Sequence, residues 1–488
     1  MKGYRLFAVG AASALTLLST IGASANVPLT QVSSDPFTNS TSQHATQVEP
    51  DTYSSGSTIV STMQSGRFTD GGASDIGWAT STDSGITWTH GFLPGITPYT
   101  SPAGSFDRVS DPSIAFDARH NVWLINSLPL LTSPSIHGAG VLVSRSTDGG
   151  LIWGNPVTVP IGGATDTDKN WIVCDDTSTS PFYGNCYTEW DNHGAGNLIQ
   201  MNTSTDGGLT WGQPQSTAQA IAGIGGQPVV QPNGTVIVPL DNANESALGD
   251  FTSTNGGASW GNVVTITGIS FHTVAGNLRS GPLPSAEIDG AGRVYVAWQD
   301  SRFERGGKSN DIVYTSSADG LTWTAVTRIP LDPVRSGVDH FIPGLAVDKS
   351  TSGSTAHLAL TYYYYPVAAC NTSTCALDVG FSSSTNGGTT WSAATQLAGP
   401  MAVTWLANTT QGFMVGDYIS TSFAGGLAHG VFAVATANNG TVFNEATFTN
   451  AAGLSAANSA TIAADQPFVY SSANRASFGA ANPSKTWR

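Results

Sequence analysis

The sequence predicts an all-β protein, and three observations lead to that prediction. A turn-like motif, Ser-x-Asp-x-Gly-x-x-Trp, recurs at intervals of roughly 50 to 70 residues. A pair of strand-like segments joined by a short turn precedes the copies. No segment has a convincing long helical period with helix caps. The copies are Ser81–Trp88, Ser146–Trp153, Ser204–Trp211, Ser253–Trp260, Ser316–Trp323 and Ser384–Trp391.

Each copy of the motif has the chemistry of a tight turn between two strands. Its glycine, Gly85 in the first copy, can adopt a positive φ without a steric penalty. Its Asp or Asn can accept hydrogen bonds from turn amides, and its Trp supplies an apolar anchor for the next strand. The fifth copy is degenerate, because Ala318 occupies the Asp position and Asp319 follows one residue late. Since the carboxylates recur in most copies, we interpret them as structural and not as catalytic acids.

Prolines mark the first strand of several predicted hairpins. In four hairpins a proline precedes an Asp or Asn by five residues. Proline is tolerated in a sheet mainly on an edge strand or at the first strand position, and the innermost strand of a propeller blade is such an edge. Three further hairpins, within residues 47–63, 168–192 and 416–435, fit without that pattern. The four prolines are Pro112, Pro228, Pro284 and Pro343.

These repeats predict a single β-propeller of four-stranded antiparallel blades. The hairpins indicate seven blades, with six or eight as alternatives. A seventh half-match to the turn motif, Thr436–Phe443, lies too close to its hairpin to leave room for another strand, so we read it as a loop. We expect the last blade to take its outer strand from the N-terminal segment, around residues 29–38, which closes the ring without a dangling sheet edge.

The turn motif with its hairpins resembles the Asp-box, or BNR repeat, of the sialidase-like β-propeller superfamily. The resemblance covers most of the chain after residue 25. It implies a carbohydrate-directed protein, in a superfamily that includes sialidases, other glycoside hydrolases, and binding or assembly propellers. Catalytic sialidases carry three Arg, a Tyr–Glu pair, an Asp acid/base, a Phe-Arg-Ile-Pro signature and six blades. This chain lacks that signature, its nearest N-terminal Arg being Arg67, and it predicts seven blades, so the triad cannot be mapped.

The termini and the cysteines indicate an extracellular protein. Residues 1–25 have the basic start, apolar run and Ala-x-Ala end of a secretory signal peptide. Residues 26–454 form the predicted propeller, and 455–488 are an Ala/Ser/Asn-rich tail. The four cysteines favour the disulfides Cys174–Cys186 and Cys370–Cys375, although other pairings remain possible. A metal site is the alternative, but no His lies at ligand spacing beside either pair.

Charge excludes some classes of partner. The chain has 18 Lys and Arg against 33 Asp and Glu, a net charge of −15. Nucleic acids and anionic membranes need basic patches, so we expect neither as a partner. We expect a glycan substrate or ligand, a monomer, no cofactor and no metal. Asp166-x-Asp168-x-Asn170 resembles the start of a calcium loop, but Trp171 replaces the required Gly and no Glu closes it.

Candidate site residues fall on the loops opposite the turn motifs, where a rigid scaffold presents variable segments. Arginine suits a sugar carboxylate because its planar fork can bind both oxygens. The alternative for each Arg is a loop salt bridge. His44, His272 and His340 could be ligands or bases, but their spacing in the sequence does not show which role each has. The catalytic candidates are Asp168, Glu189, Asp300, Asp417 and Tyr418. The substrate-binding candidates are Arg67, Arg108, Lys169, Trp171, Arg279, Arg302, Arg335 and His340.

Two classes of function follow from these residues. The first is a secreted, sialidase-like, exo-acting glycoside hydrolase on acidic glycans, which would use a carboxylate pair, or Tyr418 with Asp417. A uronic-acid polysaccharide lyase with a Tyr or His base is a variant of it. The second is a non-catalytic propeller that binds a glycan or a protein.

Overall fold

The computed structural model describes residues 27–439, 442–457 and 477–482. The predicted signal peptide and most of the predicted C-terminal tail lie outside these residues. The described chain is all-β, and its helical structure is limited to the short 3-10 helices His193–Ala195, Gly353–Thr355 and Val403–Trp405. Within these ranges, no helix is long and apolar enough to cross a membrane.

The N-terminal half consists of consecutive antiparallel groups of strands. A short strand, β1 (Leu29–Gln31), comes first. The next group comprises β2 (His44–Ser55), β3 (Thr58–Arg67), β4 (Ala73–Ser81) and β5 (Thr89–Phe92). The following group comprises β6 (Arg108–Asp117), β7 (Val122–Leu131), β8 (His137–Gly138), β9 (Val141–Ser146) and β10 (Val157–Val159). A three-stranded group follows, with β11 (Thr167–Cys174), β12 (Cys186–Asn192) and β13 (Leu198–Ser204).

The same order continues through the second half. One group comprises β14 (Gly223–Ile224), β15 (Val229–Val230), β16 (Val236–Asn242), β17 (Ala247–Ser253) and β18 (Val264–Gly268). The next comprises β19 (Ser285–Ile288), β20 (Val294–Asp300), β21 (Asp311–Ser317) and β22 (Thr327–Arg328). Then come β23 (Asp339–Val347), β24 (Leu358–Tyr365), β25 (Ala376–Ser384) and β26 (Thr395–Ala402). A small hairpin, β27 (Ala407–Thr409) and β28 (Gly412–Met414), separates these from the last group.

The last group joins the two ends of the described chain. It comprises β29 (Ser420–Ala424), β30 (Leu427–Ala435), β31 (Val442–Asn450) and β32 (Leu454–Ser455). Strand β1 pairs antiparallel with β31, with Leu29 opposite Asn450 and Gln31 opposite Phe448. The N-terminal segment therefore pairs with the last group, as the sequence predicted for this segment.

The first strands of the groups pack against one another in series. Strands β2, β6, β11, β15, β19, β23 and β29 each contact the next, and β29 also contacts β2. Proline fits these strands as expected. Pro112 and Pro343 lie at register shifts of β6 and β23, and Pro228 and Pro284 immediately precede β15 and β19. Each proline thus avoids a regular ladder position, where its missing N–H would cost a hydrogen bond.

The repeated motif forms the expected turn. In the first copy, Ser81 Oγ donates to Asp83 Oδ1 and accepts the Gly85 N–H, both over 2.8 Å. Asp83 also accepts the N–H and hydroxyl of Thr87, and the Trp88 indole donates to the Gly85 carbonyl. The motif glycines have φ values from +69° to +85°, which favour glycine. The carboxylates are therefore occupied in holding turns.

The fifth copy corrects the sequence-based interpretation. Ser317 Oγ donates to Asp319 Oδ1 over 3.0 Å and accepts the Gly320 N–H over 2.9 Å. Asp319 also accepts the next two turn amides at 2.8 Å. The turn is complete but starts one residue later, so the copy is not degenerate in structure. The indole of Trp323 donates to Asp250 of the preceding group.

The core lies between the faces of neighbouring groups. Leu124 and Val143 of the β6–β10 group pack with Ile172 and Trp190 of the β11–β13 group, for example. Each strand carries apolar side chains on both of its faces, because every group of strands is covered on two sides. A group therefore owes its stability largely to its neighbours.

Both favoured disulfides are confirmed. Cys174 and Cys186 are directly opposite each other on β11 and β12 and form a disulfide. Cys370 and Cys375 form the second one, which closes the short loop before β25. Two disulfides fit the oxidising compartment that the sequence predicts.

Part of the predicted tail pairs with the chain before β14. The Ala222 N–H donates to the Gly479 carbonyl, and the Ala481 N–H donates to the Ala220 carbonyl, both over 2.9 Å. Phe478 packs against the core that includes Ile221. Residues 477–482 therefore cover the start of the β14–β18 group.

Candidate functional site

Three first strands share an unusual backbone feature near their beginnings. Glu49, Asp111 and Lys169 have φ values of +54°, +47° and +47°, and a register shift follows each of them. Ile342 occupies the corresponding position of β23 with φ +50°. A positive φ in a non-glycine residue costs about 1–3 kcal/mol and is concentrated at functional sites. The bulges turn these side chains away from the regular strand direction.

Three of the side chains so placed belong to an ionic cluster. Lys169 Nζ lies 3.5 Å from Asp111 Oδ2 and also contacts Asp417 Oδ2. The guanidinium of Arg279 contacts the same Asp417 oxygen. We call Glu49, Asp111, Lys169, Arg279 and Asp417 the inner-strand cluster. All are buried except Arg279, whose side chain is 21% exposed.

Glu49 connects the two ends of the strand series. Its Oε1 accepts the Asp417 N–H over 3.2 Å, and its Oε2 accepts a hydrogen bond from the Gln64 amide. The Gln64 amide also donates to Ser110 Oγ over 3.1 Å, and Ser110 Oγ donates to Asp111 Oδ1 over 2.6 Å. One network of hydrogen bonds therefore spans the first strands of three groups.

The pKa values of the Glu49 and Asp417 carboxyl groups are shifted in opposite directions. Burial, with the charges of Asp111 and Asp417, raises the pKa of Glu49 to about 7. Burial alone would also raise the pKa of Asp417, but Arg279 and Lys169 outweigh it and hold this pKa well below its usual range. Near neutral pH, Glu49 can therefore exchange a proton while Asp417 stays ionised. Such a separation is typical of acid and base roles in one site.

The cations of the cluster stay charged. Burial opposes the charge on Lys169, but Asp111 and Asp417 raise its pKa well above the usual value. The pKa of Arg279 is raised as well, because Asp417 and Glu49 outweigh its burial. Arg279 is the most exposed member of the cluster, so its guanidinium is the group that an incoming anion meets first.

Trp171 and Tyr418 form an aromatic wall beside the cluster. Their ring centroids lie 5.1 Å apart in an edge-to-face arrangement. The Tyr418 hydroxyl donates to the Pro112 carbonyl over 3.0 Å, and burial raises its pKa well above the usual value. Trp171 also lines a cavity of about 270 Å³ between the first strands. These contacts favour packing for Tyr418, whose predicted catalytic role stays a prediction.

Asp168 and Glu189 lie on the flank of the cluster. Asp168 is opposite Asp191 in the β11–β12 ladder, and Glu189 lies two residues before Asp191 on the same face. Glu189 and Asp191 are fully buried. Burial first, and then neighbouring carboxylates, raises the pKa of all three groups. The direction of these shifts is opposite to that of Asp417, whose pKa is lowered.

Arg67 is close to the cluster but is enclosed. It is 3% exposed, and its guanidinium donates to the Gly72 carbonyl over 2.7 Å and to the Phe68 carbonyl over 3.2 Å. Burial lowers its pKa. The predicted role of Arg67 in substrate binding is therefore not supported by an open surface.

Other predicted residues are outside the cluster. Arg302 forms hydrogen bonds of 2.9 and 2.7 Å with the two carboxylate oxygens of the fully buried Asp300. Asp300 also accepts the Trp298 indole N–H, so this pair clamps the end of β20. Arg108 pairs with Asp70 over 2.6 Å. The loop salt bridge that we considered as an alternative describes these arginines.

Two further predicted residues also occupy separate places. His340 is buried and stacks on Tyr364, and burial lowers its pKa. Arg335 is exposed, and its backbone N–H donates to Glu304 over 2.9 Å. The structure brings neither of them to the inner-strand cluster.

Comparison with known proteins supports the repeat assignment. The family described as a BNR repeat-like domain matches residues 137–344. This stretch of the chain is therefore similar to the BNR repeat-like domain. This match includes four copies of the turn motif and two cluster residues, Lys169 and Arg279, and it confirms the resemblance stated above. No curated protein matches the chain.

Similar solved structures are distant. A protein of unknown function from Dyadobacter fermentans DSM 18053 has 15% identity, covers 74% of this chain and 99% of its own, and gives a TM-score of 0.47. Trypanosoma rangeli sialidase in complex with sialic acid has 14% identity. The match covers 70% of this chain and 57% of the sialidase chain, with a TM-score of 0.44. An ulvan lyase has 10% identity. The match covers 86% of this chain and 95% of the lyase chain, with a TM-score of 0.49. We derive no activity from these similarities.

Sequence reasoning missed two members of the cluster. Glu49 and Asp111 each precede a proline, Pro50 and Pro112, at the bulge of a first strand. The prolines aligned the repeats in the sequence, but the residues that precede them were not compared. Comparing that position across the repeats gives Glu49, Asp111 and Lys169, and this signal was available in the sequence.

Two sets of side chains in the described residues could offer ligands to a metal ion. One contains Asp117 with Cys174 and Cys186, and the other contains Asp311, Asp332 and His340. The cysteines of the first set are joined in a disulfide. Both carboxylates of the second set contact the buried guanidinium of Arg328. Neither set therefore presents the anionic, open ligand arrangement that a cation needs.

Proposed function

We propose that this chain is a carbohydrate-directed enzyme that acts on acidic glycans with the inner-strand cluster. The observation that carries the proposal is the pairing of Glu49 with Asp417. Burial raises the pKa of the Glu49 carboxyl group to about 7, whereas Arg279 and Lys169 lower the pKa of Asp417. Glycoside hydrolysis uses such a pair, in which one group transfers protons and the other stabilises positive charge at the sugar.

We propose a seven-bladed β-propeller as the scaffold. The support is the serial packing of the first strands, with the return contact from β29 to β2. The pairing of β1 with β31 also ties the N-terminal segment to the last group. In this arrangement the first strands surround an axis, and the inner-strand cluster lies at one mouth of it. The turn motifs lie at the opposite end.

Arg279 is the proposed contact for the acidic group of the glycan. Its guanidinium is partly exposed and can bind a carboxylate through two parallel N–H donors. A bound carboxylate competes with Asp417 for Arg279. Because Arg279 lowers the pKa of Glu49, this competition strengthens the hold of Glu49 on its proton. Substrate binding would thus prepare the proton donor.

The hydrolytic step assigns one task to each carboxyl group. Glu49 gives its proton to the glycosidic oxygen as the bond to the sugar carbon breaks. Asp417 stabilises the positive charge that develops on the sugar. Water supplies the new hydroxyl group, and its remaining proton restores Glu49. Lys169 holds Asp417 in place throughout.

The proposal is tested by screening the purified protein on sialosides, uronic-acid polysaccharides and neutral glycans. We expect turnover of an acidic substrate, a large loss with Glu49→Gln, and a raised KM with Arg279→Lys. Arg302→Lys is the matched control, because Arg302 belongs to the separate clamp with Asp300. Absence of turnover on every glycan, or equal activity of Glu49→Gln, would overturn the assignment.

A non-catalytic glycan-binding protein is the second candidate. The specific observation in its favour is that Glu49 is only 1% exposed and hydrogen-bonded on both oxygens. It predicts saturable binding of an acidic glycan, weakened by Arg279→Lys, with no product. A uronic-acid lyase remains a variant, and its product would carry a new carbon–carbon double bond that absorbs ultraviolet light.

Secretion and the monomeric state remain proposals as well. The two disulfides support an oxidising compartment. N-terminal sequencing of the exported protein should show cleavage after Ala25, and light scattering should give the mass of one chain. The same mature protein tests the predicted boundaries, which place the propeller at residues 26–454 and the tail at residues 455–488.

A further inference from the structure

A second ordered pair of titratable residues lies outside the inner-strand cluster. His272 Nδ1 lies 3.2 Å from Asp339 Oδ2. His272 belongs to the connection between β18 and β19, and Asp339 is the first residue of β23. The side chain of His272 is 26% exposed, whereas that of Asp339 is fully buried. A buried carboxylate thus holds one edge of an imidazole that reaches the surface.

Asn310 fixes both members of this pair. Its backbone N–H and its side-chain amide donate to Asp339 Oδ1 over 2.7 and 2.9 Å. The same side-chain amide donates to the His272 carbonyl over 2.8 Å, and its oxygen accepts the His272 N–H over 2.6 Å. Backbone and ring of His272 are therefore held by one polar network.

The network determines the chemistry of the imidazole. His272 Nδ1–H donates a hydrogen bond to Asp339 Oδ2, which leaves Nε2 to exchange protons with another molecule. Within the described residues, no protein group forms a hydrogen bond with His272 Nε2. The hydrogen bond from Asp339 raises the pKa of His272 against the effect of partial burial. Asp339 also faces Tyr365 across the β23–β24 ladder, where burial and then Asp339 raise the pKa of the phenol.

The pair is linked to the cluster through one connecting segment and one first strand. The connection that carries His272 also carries Arg279, which contacts Asp417. Asp339 lies three residues before Ile342, whose bulge corresponds to those of Glu49 and Lys169. One connecting segment therefore supplies a proton-exchanging group and the exposed cation of the proposed site.

We propose that His272 is a catalytic base for the acidic glycan at the inner-strand cluster, with Asp339 and Asn310 as positioning residues. This inference rests on the proposed function. His272 Nε2 takes a proton from the water whose oxygen bonds to the sugar carbon. The glycosidic bond breaks, and its oxygen takes the proton of Glu49. Solvent then returns the proton from His272 to Glu49, so that one water is consumed for each bond cleaved.

The decisive test compares pH profiles of kcat/KM on the acidic substrate identified by the screen. His272→Gln should lower kcat by about 100-fold with little change in KM. Asp339→Asn removes the charge that raises the pKa of His272, so the acidic limb of the profile should move to lower pH. A purely structural role would change stability without moving this limb. His90→Gln, at an exposed histidine of β5, is the matched control.

A second measurement covers variants that fail to fold. The His272 ring signal of the wild-type protein is followed by NMR against pH, with and without N-acetylneuraminic or glucuronic acid. We expect a pKa above the usual histidine value, and a further rise when the anion binds nearby. Full activity of His272→Gln, while Glu49→Gln is inactive, would overturn this inference and leave the proposed function intact. Absence of both turnover and binding would contradict the two proposals together.

Discussion

The backbone N–H of Asp417 donates a hydrogen bond of 3.2 Å to the Glu49 carboxylate, across 368 residues of sequence. Glu49 belongs to the first group of strands, and Asp417 immediately precedes the last group. The proton-exchanging group of the proposed site therefore lies at the joint between the first and last groups of strands. The cluster is complete only when the last group is docked on the first.

Removing the buried cation of this joint should destabilise the protein. Lys169 is 9% exposed and contacts Asp111 and Asp417, so Lys169→Met leaves buried carboxylates without their partner. We expect a loss of about 3–5 kcal/mol in the free energy of unfolding, measured with urea. Lys349→Met is the control. Lys349 is exposed, so we expect a change of less than about 1 kcal/mol. Equal effects of the two variants would show that the buried ion pairs contribute little.

Burial of Glu445 makes stability depend on pH. Its Oε2 accepts the Ala407 N–H over 2.8 Å, and burial raises its pKa from 4.5 to about 8. The folded state thus holds the proton more tightly than the unfolded state. The contribution of Glu445 is fully present below pH 4.5 and is lost as the pH rises towards 8.

Glu445→Gln should remove this dependence. The variant should be more stable than the wild type by about 4 kcal/mol near pH 8, and the two should differ little near pH 4.5. Denaturant unfolding at both pH values measures the difference. A constant offset between the two proteins would contradict the raised pKa.

The fifth turn motif should be as dependent on its carboxylate as the others. Asp319 accepts hydrogen bonds from Ser317 Oγ and from two turn amides. Asp319→Ala should therefore cost about 1–2 kcal/mol in a denaturant titration. Ala318→Asp, which restores the motif of the other copies, should give no gain, because the turn is already satisfied. A stabilising Ala318→Asp would restore the interpretation of a degenerate copy.

The two disulfides should contribute unequally. Cys174–Cys186 closes a sequence separation of 12 residues, and Cys370–Cys375 closes one of 5. Loop-closure entropy of the unfolded chain predicts losses of about 3 and about 2 kcal/mol for the respective double Cys→Ser variants. Thermal unfolding of both variants tests the order. The reverse order would indicate that native contacts around the loops, and not the unfolded state, dominate.

The sequence revealed the repeated architecture because its turns depend on local chemistry. Each turn needs a glycine with positive φ and a side chain that accepts amide protons, and these leave a readable pattern. The disulfides could be predicted for the same reason, since Cys174 and Cys186 flank the turn of one hairpin. The pairing of β1 with β31 could be anticipated because the last group lacked a strand.

The candidate site was harder to read because its contacts join distant parts of the chain. Asp417 and Lys169 were identified, but Glu49 was missed, since its partner is brought to it only by the return of the chain to its start. Arg302 was overvalued because a loop arginine beside a carboxylate looks alike in sequence whether it binds a ligand or clamps its neighbour. Burial decides between these cases, and Asp300 is fully buried.

The most direct test of the central claim is calorimetric binding of an acidic oligosaccharide to the wild type, Arg279→Lys and Arg302→Lys. A substrate identified by the screen serves as ligand, with Glu49→Gln as the background to prevent turnover. We predict that Arg279→Lys weakens binding at least tenfold, or by about 1.4 kcal/mol, because the planar fork is lost. Arg302→Lys should bind as the wild type does. Equal affinity of all three proteins, or a loss confined to Arg302→Lys, would contradict the assignment of the inner-strand cluster.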